Sequence, residues 1–534
     1  MKLLVIGLDG GTWDVFDDYL LEQWMPNLKK LRDEGCHGIL DSTEPPVTPP
    51  AWTTCITGCH PGKHGIFAFH KYSFEHYRPK LTSSADCLVP NVFQILSRQG
   101  YKVGSINVPW TYPCRKVNGI TVAGLGCPGV DCDFTHPQEF KNELLTDMDD
   151  YRILHMWKKG GPKKQEEKLD WNVKNVERII RQRVRAAEMI SQRVDWDILM
   201  VQFQNLDKMQ HSIWAYLDKA TRNSYPKQRD RLFKMFGRLD SAIGELVSLA
   251  GTEESTVVVA SDHGFGRSVA QVRPNTALAL WGYLDRKYSN NPWERIGKRL
   301  TRKLAHLRSG KSRGERAPVR EDFNWDRSKA AVIHKSVDGF IYLNIKGRGP
   351  GGCVEQGAKE NIIEQLRQKF LEIRNPVNGE KVFHKVLTPQ ELFGPGAIDF
   401  EKCGDLVLAP KNGYRLKLTD LTRGDYVRPY PDNKLGGWHY REGMYIISGP
   451  GVKRGANHRT HIVNIAPTLY AVLGAKLPTF MDGKVITEAF EEQVKCRYET
   501  VPLEHFAQQK DSKAMTPEEE ERVNRRLAAL GYLD

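Results

Sequence analysis

The chain is predicted to be an α/β protein built on a mostly parallel sheet, and three features carry that prediction. Short apolar runs recur at 2–8, 195–203, 255–260 and 444–448, with the length and character of strands buried on both faces. Segments with helical periodicity, 20–32, 91–99, 169–194 and 230–249, lie between them. Three of the runs lead directly into an aspartate or an Asp/His set, at the strand tips where α/β sheets hold their ligands.

At 534 residues the chain is long enough for two to four domains or one large elaborated one. Its 40% hydrophobic and 27% charged content is ordinary for a soluble globular protein. The net charge of +13 points to an acidic partner: phosphate esters, nucleic acid or an anionic membrane surface. Ten cysteines form no CxxC pair, and the nearest spacings, Cys55/Cys59 and Cys127/Cys132, are not those of a zinc ribbon. The opening apolar run is too short for a signal-peptide core, and no window approaches a membrane span. A reducing, cytoplasmic location with free thiols is the expectation.

Taken in order, the first strand runs into Asp9-Gly-Gly-Thr-Trp-Asp14. Asp9 fits a ligand at a strand tip and equally a turn or N-cap aspartate. The helical stretch 20–32 stops at Gly35. Prolines at 45, 46, 49 and 50 then forbid regular structure, so a helix is expected from Ala51, ended by Gly58. Thr48 is thereby held on a stiff turn just ahead of a helix N-terminus, whose N–H groups and dipole favour an anion. A hydroxyl there suits the nucleophile of a phosphoryl transfer; a Pro-rich loop before an ordinary helix start fits the same residues. A helix at 91–99, a strand at 101–108, a Pro-rich crossing at 109–113 and a long basic amphipathic helix at 169–194 follow.

The strand 195–203 leads to Asn205-Leu-Asp207-Lys-Met-Gln-His211, where Asp207 and His211 share one helix face and can grip a divalent ion. A surface pair is the commoner origin of such a spacing. The strand 255–260 runs straight into Ser261-Asp262-His263-Gly264, where a turn splays the adjacent Asp and His around one metal. Carboxylates and imidazoles at three strand tips are hard to obtain from structural needs alone, which favours the metal reading.

Residues 293–320 carry ten Lys/Arg against two Glu, with Ile296, Leu300, Leu304 and Leu307 at helical spacing. A helix at 293–308 lying on an anionic membrane surface is one reading. A solvated insertion docked on the body, with a linker at 309–320, is the favoured one, and no specific nucleic-acid motif lies beside it. An alternating stretch at 330–344, a helix at 359–373, a hairpin through 375–380 and a strand at 406–409 come next. Gly436-Gly-Trp-His439 precedes the last apolar strand, and its glycines permit close backbone approach to a site; alone, His439 fits a core histidine better. From Met515 the tail reads as a capped surface helix. The expected division is a core at 1–268, an inserted cap at 269–430, the rest of the core at 431–480 and an extension at 481–534.

In this order, Asp9, Thr48 within Thr-Pro-Pro-Ala-Trp, the run Pro61-Gly-Lys-His-Gly-Ile66, Asp207-x-x-x-His211, Ser261-Asp-His-Gly264 and His439 resemble the alkaline phosphatase superfamily. The nearest branch is the type I phosphodiesterase/nucleotide pyrophosphatase group. The likeness spans 3–265 and 436–475 and is loose over 270–430. It implies a doubly wound α/β sandwich with two divalent ions, zinc first, with manganese or magnesium as alternatives. Asp9, Thr48, Asp262 and His263 would hold one ion, and Asp207, His211 and His439 the other. Thr48 would attack an anionic phosphoester, such as a nucleotide, with the first ion lowering its pKa. The other ion would polarise the phosphoryl oxygen or assist the water that releases a phospho-threonine.

The sequence departs from the family pattern after His-Gly-Ile. An asparagine that helps hold the phosphoryl group is expected there, and Phe67-Ala-Phe69 stands in its place. Lys63 and Asn107 are the candidate substitutes. The arginine and third metal site of monoesterases have no clear counterpart, which favours diesters. No C/S-x-P-x-R sulfatase motif begins near 48, and the arrangement does not match a cofactor-independent phosphoglycerate mutase. The competing readings are a phosphotransferase serving a glycan or lipid acceptor, a phosphomonoesterase, and a non-enzymatic polyanion binder.

Overall fold

The computed structural model describes residues 2–73, 78–154, 165–251, 254–285, 323–333, 337–349, 351–394, 403–418, 424–431, 434–503 and 515–530. The basic segment 293–308 and the linker 309–320 lie outside them. The chain folds into two compact units, one of 1–69, 82–268 and 431–523, the other of 70–81, 269–430 and 524–534.

The first unit is built on nine strands: β1 Lys2–Leu8, β2 Cys36–Asp41, β3 Val103–Val108, β4 Gly119–Ala123, β5 Thr135–His136, β6 Ile198–Phe203, β7 Ser255–Ala260, β8 Glu442–Ser448 and β9 Thr460–His461. Their order across the sheet is β9-β2-β8-β7-β1-β6-β3-β4-β5. The run from β7 to β4 is parallel, and β8 is antiparallel to both β2 and β7. Successive side chains point to opposite faces. Leu4, Ile6 and Leu8 of β1 therefore join Leu199, Val201, Val257 and Val259 in one core, while Leu3 and Val5 join Ile198, Met200 and Val258 in the other. Burial on both faces is why these strands read as continuous apolar runs.

The helices that matter for the site are α1 Asp18–Trp24, α2 Pro26–Glu34, α3 Thr48–Thr57, α4 Gln165–Arg193, α5 Asn205–Ile213 and α6 Pro226–Ala250. Helix α3 packs on the face of Leu3 and Val5, and the other five pack on the opposite one. The stretch 20–32 is two helices rather than one, because Pro26 cannot donate to a continuing ladder and opens α2 instead. Helix α3 starts at Thr48, three residues earlier than expected, with Pro49 and Pro50 inside its first turn. Proline is tolerated there because first-turn N–H groups have no intrahelical acceptor. Gly58 closes α3 in the left-handed region, at φ +66°.

In the second unit, Ala330–Val332, Gly339–Leu343, Leu406–Pro410 and Phe383–Leu387 form an antiparallel four-stranded sheet, in that order. Tyr414–Leu416, Ala270–Val272 and Val427–Pro429 form a three-stranded one. The stretch 330–344 is thus two strands, and the turn at 375–380 is closed by the Asn375 N–H on the Glu380 carbonyl at 2.8 Å. The tail helix, Pro517–Leu530, has reciprocal bonds between Thr516 and Glu519 at its start. All ten cysteines are free thiols. Among the described residues, no helix is long and apolar enough to cross a membrane.

Candidate active site

The sheet's register decides which residues meet. The carboxyl ends of β1, β6 and β7 lie along one edge of the sheet, carrying Asp9, the start of α5 and Asp262-His263. Because β8 runs the other way, with Tyr445 opposite Ala260 and Glu442 opposite Asp41, its amino end emerges at that same edge. His439 is thereby delivered from far along the chain, and the end of β2 leads there into the loop before Thr48.

Asp9 is fully buried, and its Oδ2 accepts bonds from the Trp52 indole N–H at 2.8 Å and the Gln202 amide at 3.1 Å. Asp262 Oδ1 accepts from the Gly10 N–H at 3.0 Å. His263 Nδ1 faces the Gly264 carbonyl at 3.0 Å; a carbonyl only accepts, so Nδ1 carries the proton and Nε2 a lone pair. After these bonds, four buried atoms have no hydrogen-bond partner: Asp9 Oδ1, Thr48 Oγ1, Asp262 Oδ2 and His263 Nε2. Buried polar atoms are rarely left so.

A second group lies beside them. Asp207 Oδ1 is 3.2 Å from His211 Nε2 and 2.9 Å from His439 Nε2, and the two imidazole nitrogens are 2.9 Å apart. His439 Nδ1 donates to the Pro46 carbonyl at 3.1 Å, which turns the Nε2 lone pair toward this group. Asp9, Asp207 and His263 also offer ligand atoms within 4.8 Å of one another, so the two groups adjoin at Asp207.

The electrostatics are those of a site short of positive charge. Burial, reinforced by Asp262 and Asp207, pushes the Asp9 carboxyl well above the usual range. Burial lifts Asp262 to about 8, with Asp207 adding to it. Burial also opposes ionisation of Asp207, yet His211 and Lys208, its Nζ 3.4 Å away, hold that carboxyl well below the ordinary value. Burial and then His263 keep His439 neutral. Three buried carboxylates, three imidazoles and a hydroxyl, without a thiolate, suit a hard or borderline divalent ion. Such an ion would satisfy the four orphaned atoms and relieve the crowding of negative charge.

The structure departs from the sequence expectations at the helix end. The first turn of α3 is no cradle of N–H groups, since Pro49 and Pro50 have none, the Val47 N–H is bound to Pro45 O, and the Ala51 N–H to Val47 O. Only Thr48's own first-turn N–H is left, so an anion here relies chiefly on cations. Lys63 and Asn107 are occupied elsewhere. The Lys63 ammonium pairs with Asp482 at 2.8 Å and bonds the Phe480 carbonyl. Asn107 is a buried brace, accepting from the Tyr151 hydroxyl at 2.5 Å and donating to the Ala123 and Ile153 carbonyls. Within the run 61–66, His64 is a core histidine bonded to Thr54 at 2.9 Å.

Trp52 and Gln202 went unread in the sequence, though a signal existed. Gln202 is a polar residue in an apolar strand, and it lies opposite Gly7. A Cβ on Gly7 would come within 2.7 Å of the Trp52 ring and 2.9 Å of Gln202 Cγ. Gly7→Ala is therefore expected to destabilise the first unit by about 1–3 kcal/mol and to weaken divalent-ion binding by displacing Asp9. Calorimetry and ion titration of the variant check both.

A doubly wound sheet whose strand tips gather carboxylate, imidazole and hydroxyl groups has the architecture of the alkaline phosphatase-like hydrolases. The family model "Type I phosphodiesterase / nucleotide pyrophosphatase" matches residues 3–439. The chain belongs to that family and is a phosphoric ester hydrolase. Among solved structures, phosphonoacetate hydrolase from Sinorhizobium meliloti 1021, in complex with phosphonoformate, is similar at 13% identity and a TM-score of 0.56, over 89% of this chain and 95% of that one. Human ectonucleotide pyrophosphatase/phosphodiesterase 5 is similar at 12% identity and a TM-score of 0.48, over 89% and 96%. No curated protein sequence matches significantly.

Proposed function

We propose that the enzyme is a two-metal phosphodiesterase that acts through Thr48. The observation that carries this reading is the set of four buried atoms without a hydrogen-bond partner, Asp9 Oδ1, Thr48 Oγ1, Asp262 Oδ2 and His263 Nε2, the last two 3.3 Å apart, beside the Asp207, His211 and His439 group. The first four residues would hold one divalent ion and the other three a second, with zinc the best match to the donors. When bound, the ions supply positive charge that lowers the Thr48 pKa and stabilises the phosphoryl oxygens. Thr48 Oγ, its proton lost to solvent, attacks phosphorus. The bond from phosphorus to the leaving alkoxide breaks, and the phosphoryl group rests on Thr48. Water then attacks the same phosphorus, the bond to Oγ breaks, and phosphate monoester departs. Trp52 and Gln202 hold Asp9, and the Pro46 carbonyl holds His439, throughout.

The substrate class proposed is a phosphodiester or nucleotide-type phosphoric anhydride. The test is hydrolysis of bis-p-nitrophenyl phosphate against p-nitrophenyl phosphate by zinc-reconstituted protein, with and without chelator. Faster, chelator-sensitive diester turnover supports the reading. A preference for the monoester overturns the diester assignment, and no turnover of either with zinc or manganese overturns the two-metal diesterase reading.

A further inference from the structure

The loop of residues 42–47, which ends at Thr48, is fastened to both halves of the ligand set. The Ser42 hydroxyl donates to the Asp262 carbonyl, and the Ser42 N–H donates to the Arg441 carbonyl at 3.0 Å. The Pro46 carbonyl accepts from His439. Between these points, the Arg441 guanidinium grips the Glu44 carboxylate through two bonds, Nε to Oε1 at 3.0 Å and Nη2 to Oε2 at 2.9 Å. Both side chains are about six-sevenths buried, at 15% and 14% exposure. A paired, bidentate and largely desolvated Arg–carboxylate contact fixes orientation in a way that a surface pair does not.

Arg441 stands two residues after His439, and Glu44 four before Thr48. One side-chain pair therefore ties the strand that carries a proposed ligand to the loop that carries the proposed nucleophile. We propose that Glu44 and Arg441 are positioning residues that set the distance between Thr48 and the Asp207–His211–His439 group. The proposal rests on the Thr48 reading above. Neither residue is assigned contact with substrate. Their work is done through Pro46 and Thr48: if the pair opens, the Pro46 carbonyl leaves His439 Nδ1 and Thr48 Oγ drifts from its place.

The experiment compares Arg441→Lys, Glu44→Gln and the double variant with wild type in three measurements. These are kcat and KM on bis-p-nitrophenyl phosphate, zinc affinity by competition with a chromogenic chelator, and Tm. Lysine keeps the charge but not the two-pronged grip. Each single variant is expected to lose about 10- to 100-fold in kcat with KM nearly unchanged. Zinc affinity should fall by about 10-fold, the usual cost of disturbing a group that orients a metal-bound histidine. The double variant should be no worse than the poorer single one, because the two residues act as a unit. Unchanged kcat and zinc affinity, or losses that simply add, would overturn the proposal, as would a fall in Tm with kcat per folded molecule intact. If wild type hydrolyses neither ester, the function proposed above fails, while the zinc competition still tests the clamp.

Discussion

Thr48→Ala is expected to lower kcat/KM on bis-p-nitrophenyl phosphate by about 1,000-fold or more, since no other group would take the phosphoryl group. Thr48→Ser, which keeps the hydroxyl on the same buried helix start, should retain much of the activity. The alanine variant should still bind zinc, because Asp9, Asp262 and His263 keep their orphaned ligand atoms. Rapid acid quenching of a turnover mixture, followed by peptide mass analysis, should find a p-nitrophenyl phosphoryl group on Thr48 in the wild type and none in the variant. Full activity in Thr48→Ala would remove the nucleophile from the proposed mechanism and leave direct attack by water.

The second large effect is on stability, and its sign follows from Asp262. That carboxyl titrates at about 8 in the ion-free fold, against about 4 in an unfolded chain. Between those values the folded state holds a proton that the unfolded state has lost. Stability contributed by the group is therefore complete below pH 4 and is lost as pH rises toward 8. Asp262→Asn removes that term. With chelator present, the variant should melt higher than wild type at pH 8 and close to it at pH 4. Zinc should reverse the order, because binding to wild type requires the ionised carboxylate and strengthens as pH rises, while the variant gains little. A melting curve series with and without zinc decides it; an ion-free wild type that is the more stable at pH 8 would contradict the reasoning.

Both predictions concern residues that the sequence exposes to view, and the reason is physical. Strands buried on two faces cannot hide polar residues, so the apolar runs 2–8 and 255–260 stand out, and the acids at their tips with them. Helix 226–250 was legible through its periodicity for the same reason. What failed to show was anything dependent on register or on distant partners. Gln202 is meaningful only because Gly7 faces it, and Trp52 only because α3 begins early enough to turn its indole toward Asp9. Helix α3 starts three residues before the expected Ala51 because proline bars a helix interior but not its first turn. Lys63 and Asn107 have the right chemistry for phosphate, but Asp482 and Tyr151, remote in sequence, claim them. In the second unit the strands are three to five residues long: the alternation at 330–344 and the run 406–409 were legible, whereas 270–272, 383–387, 414–416 and 427–429 are too short for periodicity to register.

The place of β8 in the sheet has a consequence for how the protein is made. Strand β2 leaves the ribosome well before its sheet neighbours β8 and β9, which are synthesised some 400 residues later. At about 5–20 residues per second, β2 stays unpaired for roughly 20–80 s and one edge of β7, made about 180 residues before β8, for roughly 9–36 s. During that interval the nascent chain displays open strand edges, the surfaces most prone to pairing with a neighbour. Assembly is thus a closing operation, in which a late strand seals the sheet and completes its ligand set in one event. Ribosome-stalled chains ending before His439 should be held by chaperones and bind no zinc at the Asp207–His211–His439 group, whereas chains released past His461 should close the sheet and bind zinc together.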